Sequence, residues 1–513
     1  MRRWLLTLMM LGIAADAHVQ YAQAQYAQAQ YAQAQGQAAG LRIGMRDDPD
    51  ILDPTLSRTY VGTLVMTAMC DKLFDFDAKQ AIVPVLATGY DQVDPVTLLI
   101  HLRPGVVFGD GEPFDAAAVK YTLERHVNLP GSFRRNEIGA MERVEVVDPL
   151  TVRVVLKQPF SPFIAVLTDR AGMMVSPKAA EAAGKDFGLH PVCAGPFRFV
   201  ERVAQDRIVL ERFPGYWDAG RIHYDRVTYR VMPDSSIRLA NLKAGSLDIA
   251  EVAPLDAQAA RADPRLGVVD VAGLGYGALT VNLAGTTPMA GDQRVRAAFQ
   301  LSLDRAALSQ VVFAGMYEPV AQAISASSPY YAAEVAMPPH DVAAARALLQ
   351  QAGVATPLRV NLLVYNTPQG VQAGEVIQAM AAEAGFDVRV TAAEFGAVLA
   401  ATMRGEYDVT LGGWSGLLDP DSDSYAFLHT GSGLNIAKYS NAKADALLEQ
   451  ARAEGDPAKR RVLYGQLWTQ VQTDLPLIYL WTIRNILGVS RKVQGVTLLA
   501  NGLLPLQDIR PSP

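Results

Sequence analysis

The stretch LRVNLLVYNTPQGVQAGEVIQAMAAEAGFDVRVTAAEFGAVLAATMRGEYDVTL, residues 358–411, decides the fold. Leu358–Val364 is apolar and strand-like, and Val371–Ala384 has helical spacing that Gly385 ends. Phe386–Thr391 reads as a strand, Phe395–Arg404 as a helix and Tyr407–Leu411 as a strand. Strand, helix, strand, helix, strand with short connections specifies a mostly parallel sheet with right-handed crossovers. Sheets of this kind take ligands in the crevice beyond the carboxyl ends of their strands. Just past one such end come Gly412-Gly413, Trp414, a Ser-Gly turn and an acidic loop, Asp419-Pro420-Asp421-Ser422-Asp423. The paired glycines let the backbone approach another segment closely. A large aromatic followed by polar groups suits a small-molecule site. The plain alternative is a core tryptophan beside a solvated acidic loop.

Beyond this stretch, helices are expected at Ala442–Ala453 and Lys459–Thr473. Leu477–Trp481 is then a strand carrying the chain back to a first domain. On the amino-terminal side, Asp292 caps one long helix to Ala314, closed by Gly315, with Val295, Phe299 and Leu303 as its buried stripe. Leu274–Leu283 alternates as a strand. Its Gly273-x-Gly275-x-Gly277 run leads into a strand and not a helix, which excludes a dinucleotide fingerprint. It is read as a glycine-rich crossing between domains, where backbone change can be absorbed. Hairpins are expected at Val144–Val147 with Thr151–Leu156, and at Phe197–Arg202 with Arg207–Phe213. Strands at Thr97–Leu102 and Val106–Phe108 precede a helix, Ala116–His126, capped by Asp115. The strand Leu41–Met45 opens the globular part. A polar loop, Asp47–Tyr60, then feeds a helix, Val61–Leu73.

With 513 residues the chain exceeds a single core, so two or more domains are expected. A formal charge of −6 and the lack of Lys/Arg runs argue against nucleic acid as a partner. Arg2-Arg3, the short apolar run Trp4–Ala14 and Ala15-Asp16-Ala17 make a secretory signal over 1–17. No cysteine precedes Cys70, so no lipid-attachment site follows that signal. The repeat YAQAQ at 21–25, 26–30 and 31–35 is polar and uncharged, and 18–40 is read as a disordered linker. The mature protein is expected to be exported, periplasmic and not lipid-anchored. Two cysteines, Cys70 and Cys193, are candidates for a disulfide in an oxidising compartment.

Catalytic signatures are missing. Gly431-Ser432-Gly433 and Ser415-Gly416 lack nucleophile-elbow spacing. No phosphate loop appears, and the seven His are scattered without metal-ligand spacing. Asp419-x-Asp421-x-Asp423 resembles the start of a calcium loop, but Ser424 and Thr430 stand where Gly and Glu belong. The chain is therefore read as a binding protein, not an enzyme, with no cofactor and no metal.

Five motifs carry a resemblance. They are LRPGVVFGDGEPFDAAAVKYTLER (102–125), CAGPFRF (193–199), FPGYW (213–217), AGSLDIA (244–250) and VNLAGTTPMAGDQRVRAAFQLSLDR (281–305). In this order the chain resembles the family-5 extracellular solute-binding proteins, the dipeptide, oligopeptide and nickel receptors of bacterial ABC importers. The resemblance implies an α/β, two-lobed periplasmic-binding-protein fold with an extra subdomain in the first lobe, the cluster C type. Lobe I would span 41–272 with the subdomain at about 72–189, lobe II 273–476, and 477–513 would return to lobe I. The lobes would close on a peptide-like or modified-peptide solute and hand it to an inner-membrane ABC permease with its ATPase subunits; the protein itself would be a monomer. A metal-chelate or haem-type carrier on the same fold is the alternative. Ser57-Arg58-Thr59-Tyr60 matches the loop that lines the cleft in peptide receptors. Trp414 matches the family's Gly-Trp aromatic, and Asp419-Pro420-Asp421 its Asp-Pro-Asp element. With Tyr276, Tyr365 and Asn366, the candidate ligand-binding set is Arg58, Thr59, Tyr60, Tyr276, Tyr365, Asn366, Trp414, Asp419 and Asp421. Two departures stand out. Leu417 replaces the Asp that would hold a peptide's amino group, and Tyr365-Asn366-Thr367-Pro368 offers no Arg for its carboxylate. A dipeptide is therefore disfavoured. Arg58, and after it Arg484, are the candidates for an anionic ligand group.

Overall fold

A computed structural model describes residues 40–513. The signal expected at 1–17 and the repeat linker lie outside the described residues, except that Gly40 already belongs to the first strand.

The first half of the chain provides β1 (Gly40–Met45), α1 (Tyr60–Met66), β2 (Ala87–Asp94), β3 (Thr97–Leu102), α2 (Ala116–Asn128), β4 (Met141–Asp148) and β5 (Thr151–Leu156). It continues with β6 (Phe197–Val203), β7 (Arg207–Arg212), β8 (Arg226–Val231), α3 (Ser235–Ala244) and β9 (Ile249–Glu251). Next come β10 (Leu266–Val281), α4 (Gln293–Leu301), α5 (Arg305–Phe313), β11 (Leu358–Tyr365), α6 (Pro368–Ala384), β12 (Phe386–Ala393), α7 (Phe395–Arg404) and β13 (Val409–Trp414). The chain ends with α8 (Pro420–Leu428), α9 (Ala442–Ala453), α10 (Pro457–Asp474) and β14 (Leu477–Ser490), followed by short pairings.

Ten strands make one continuous sheet in the order β12-β11-β13-β10-β14-β9-β1-β8-β7-β6. Two strands, β10 and β14, hold its halves together. They pair antiparallel from Leu266↔Ser490 to Thr280↔Leu477, with a register shift between Ala272 and Tyr276. Glycine is required at that shift. A Cβ on Gly275 would lie 2.2 Å from the Trp414 carbonyl oxygen, and one on Gly277 2.3 Å from the Trp481 ring. A separate four-stranded antiparallel sheet, β2-β3-β5-β4, packs on α2 around its own core of Leu98, Ile100, Val119, Leu123, Val152 and Val154.

The Cys70 and Cys193 sulfurs are bonded, with Cα atoms 4.8 Å apart, inside the core formed by β1, β8 and α1. That bond closes a loop over 123 residues of sequence and encloses the whole four-stranded sheet.

Several elements differ from the sequence reading for physical reasons. The acidic stretch 419–423 is not a loop. Asp419 caps α8 by accepting from the Asp421 N–H, and Pro420 takes the first helical position, where its missing N–H costs nothing. The single helix expected from Asp292 to Ala314 is two. Asp304 accepts from the Ala307 N–H at 2.9 Å and starts a second helix in the middle of a continuous apolar stripe. The helix expected to reach Leu73 stops at Met66, because the chain turns into the Cys70 bond. Val106–Phe108 is no strand, only a single bridge between Val107 and Pro113. The strand expected at Leu477–Trp481 runs on to Ser490.

Candidate functional site: the crevice between opposed strand ends

Strand direction creates the crevice. β1 and β9 are parallel neighbours that end at Met45 and Glu251. On the other side β11, β12 and β13 are parallel and end at Tyr365, Ala393 and Trp414. β13 is antiparallel to β10, and β9 to β14, so the two sets of carboxyl ends face one another.

Trp414 is the last residue of β13 and is half-buried. Its Nε1 donates to Asp423 Oδ1 at 2.9 Å and its ring stands edge-on to Phe427, with centroids 5.1 Å apart. Leu417 N–H donates to the same carboxylate oxygen at 3.0 Å. Burial pushes the Asp423 carboxyl well up, against the two donors that lower it.

Asp419 and Asp421 belong to the interior. Asp419, 4% exposed, takes two hydrogen bonds from Arg460 at 2.7 and 2.8 Å. Asp421, 5% exposed, takes two from Arg452, both at 2.9 Å. Bidentate pairs of this kind satisfy both oxygens of a carboxylate. The pairs anchor α8 to α9 and α10 and present no carboxylate to the crevice. Arg452 also reaches across the crevice. Its carbonyl accepts from the Ser161 N–H at 2.9 Å, and its guanidinium lies 5.2 Å from the Phe160 ring.

The remaining sequence candidates fall into three groups. Thr59 caps α1 through its hydroxyl and donates to Asp50 at 2.7 Å, so its side chain serves the loop. Tyr276 is buried beside Tyr479, with ring centroids 5.0 Å apart, and is not on the crevice wall. The wall itself takes Tyr60, Tyr365, Asn366 and Arg58. The Tyr60 hydroxyl donates to Gly502 O at 2.6 Å. The Tyr365 ring stacks on Phe395 at 5.4 Å. Asn366 Nδ2 donates to Glu394 at 2.7 Å. Arg58 is exposed, with its guanidinium 4.9 Å from the centre of the Phe133 ring. Arg484 is already held by Asp270 and, more distantly, by Glu318 at 3.7 Å.

Sequence reasoning missed a charged pair at the crevice floor. Arg46, one residue past β1, and Glu251, the last residue of β9, meet at 2.6 Å. Their side chains keep 46% and 28% of their surface exposed. The Arg46 guanidinium lies 5.3 Å from the centre of the Tyr60 ring. Glu251 holds that guanidinium above its ordinary value against desolvation. Tyr317, from the segment that follows α5, feels both charges, and burial raises its hydroxyl to about 12. The available signal was position alone: both residues stand where parallel strands end.

Residues 81–435 match the sequence pattern described as "Bacterial extracellular solute-binding proteins, family 5 Middle". The chain belongs to this family. Among relatives of this solute-binding protein, the glutathione-binding protein GsiB of Pectobacterium atrosepticum is 32% identical, over 89% of this chain and 91% of that protein. GsiB of Salmonella typhimurium is 31% identical over 87% and 90%. The structure of AgaA from A. tumefaciens R10 in complex with agropinic acid superposes with a TM-score of 0.81 at 25% identity, over 92% of this chain and 99% of that one. CtaP of Listeria monocytogenes, at 21% identity, shares the fold with a TM-score of 0.84 over 93% and 100%. The two-lobed α/β architecture is therefore that of the family 5 periplasmic receptors. The solute-binding protein is the periplasmic substrate-binding component of an ABC importer. Proteins of this family bind peptide or small-molecule ligands and work with a membrane permease and its ATPase.

Proposed function

We propose that the solute is a small thiol peptide of the glutathione class, held between lobe I (41–272) and lobe II (273–476). The observation that carries this reading is the likeness to the glutathione-binding relatives over nearly the full length of both chains. The crevice chemistry supports it: an Arg–Glu pair on the floor and Arg58 at the rim suit a peptide with more than one carboxylate. Leu417 and Tyr365–Pro368 carry no charge, which disfavours a plain dipeptide. Closure would bend β10 and β14 at Gly273–Gly277, where their pairing is already interrupted. Ligand favours the closed state only by touching both lobes, here the Arg46 floor and the Trp414 wall. On this reading the mature protein is exported by its N-terminal signal, unanchored and monomeric, and binds without chemical turnover. Among the described residues no group of three or more His, Cys, Asp and Glu is placed to hold a metal.

Calorimetric titration of the mature protein with reduced glutathione, oxidised glutathione and a dipeptide panel tests the proposal. Saturable one-to-one binding of glutathione, with contraction in small-angle scattering, is expected. Binding of a panel dipeptide with no response to either glutathione form would overturn it.

A further inference from the structure

Most charges around the crevice are already matched. Asp419 and Asp421 are each satisfied by a bidentate arginine. Arg484 is shared between Asp270 and Glu318, and Asp270 also takes Arg261 at 3.1 Å. The Arg46–Glu251 pair is different. Among the described residues a single hydrogen bond joins the two side chains, from Arg46 Nη1 to Glu251 Oε1 at 2.6 Å. Among the described residues the guanidinium makes one further ion pair, a more distant one from Nε to Asp47 at 3.7 Å, and Arg238 lies near enough for the two like charges to interact. Arg238 lies behind Glu251, donates from Nε and Nη1 to the carbonyls of Glu251, Met232 and Pro233, and makes no hydrogen bond to the Glu251 carboxylate. The floor of the crevice thus offers both an open guanidinium edge and an open carboxylate oxygen, side by side and accessible.

We propose that Arg46 and Glu251 together receive a free amino-acid head, an α-carboxylate and an α-ammonium on one carbon. In the glutathione reading on which this rests, that head is the γ-glutamyl end. The argument is one of matched charge. A lone anion or cation arriving at this site would meet a partner and a repeller only 2.6 Å apart. A head carrying both charges can set its carboxylate on Arg46 and its ammonium on Glu251. It replaces one internal ion pair by two charge-assisted ones with no net charge brought out of water. Arg46 suits the carboxylate because its fork of N–H donors matches that geometry. The Tyr60 ring beside the guanidinium restricts its orientation, and Tyr317 stands near both charges. Since the two residues come from neighbouring strand ends of one sheet, their spacing is set by the sheet and not by a loop.

The test crosses protein variants with ligand variants. The mature protein and its Glu251→Gln form are each titrated with glutathione and with glutaryl-cysteinyl-glycine, which lacks only the α-ammonium. The unsubstituted protein and Arg46→Gln are likewise titrated with glutathione and its α-carboxamide, and thermal melts confirm that both variants fold. The unsubstituted protein should prefer glutathione over each analogue by about 10-fold to 100-fold, the scale of a hydrogen bond to a charged group. Each variant should bind glutathione and its matching analogue within roughly threefold. A folded Glu251→Gln protein that keeps the full preference for the ammonium overturns this site while leaving the glutathione reading standing. Failure of the unsubstituted protein to bind glutathione overturns both.

Discussion

The two walls of the crevice use charge in opposite ways. On the side of β13 the sequence concentrates three aspartates within five residues, and the fold takes all three inside. Two are matched by arginines of α9 and α10, and the third by the Trp414 and Leu417 donors. On the side of β1 and β9 an arginine and a glutamate separated by 205 residues meet at strand ends and stay accessible. Local density of charged residues therefore says little about the charge a ligand would meet. What matters is whether the fold supplies a partner from within, and that depends on elements far along the chain.

The largest expected effect tests the inner wall. Arg460→Ala leaves the Asp419 carboxylate buried without its partner and should cost about 3–5 kcal/mol in denaturant unfolding. An unchanged midpoint would mean that Asp419 reaches water and belongs to the crevice after all.

A buried carboxylate of another kind sharpens the contrast. Asp71 is buried without an arginine, accepts from Trp217 Nε1 at 2.9 Å, and is pushed up to about 6 by burial. The folded state therefore binds this proton more tightly than the unfolded one. The resulting stability is complete below about pH 4 and is lost as pH rises through about 6, a change of about 2–3 kcal/mol. Asp71→Asn should flatten that slope in unfolding measured from pH 4 to 7. A slope that persists in the variant would assign it to another group.

Trp414→Phe keeps the ring and removes one donor to Asp423. Stability should fall by about 1–2 kcal/mol in denaturant unfolding, the scale of a buried acceptor losing one donor. An unchanged midpoint would mean that the Trp414 donor does not hold Asp423. The smallest effect belongs to the Arg46–Glu251 pair on the crevice floor. Arg46→Ala breaks a pair whose side chains are 46% and 28% exposed and should change stability by no more than about 1 kcal/mol. A larger loss in the same unfolding assay would show that the pair is structural.

The parts of the fold set by local pattern were legible in the sequence. The helix Phe395–Arg404 was read with its observed limits, and Asp115 caps its helix as spacing suggests, accepting from Ala118 N at 3.0 Å. The segment 358–411 shows apolar periodicity and glycine stops together, and these agree with its tertiary role. Reading failed where one signal overrode another. Asp-Pro-Asp looks like a turn, yet Asp before Pro is also a helix start, and α8 begins there. The apolar stripe from Val295 to Val312 conceals the restart at Asp304, which shows only as a second capping residue. In the crevice, aromatic residues at strand ends could be located from local pattern. The pairing of Arg46 with Glu251 could not, because it depends on which strands become neighbours.

The Cys70–Cys193 bond has a practical consequence for handling the protein. Every residue of the four-stranded sheet lies between the two cysteines. A protease that cuts once in any exposed turn there produces two polypeptides that remain covalently tethered. Such material would migrate as an intact chain on a non-reducing gel and fall apart into two bands only after thiol is added. Preparations of this receptor could thus carry concealed nicks, and a search for its ligand should begin with both gels.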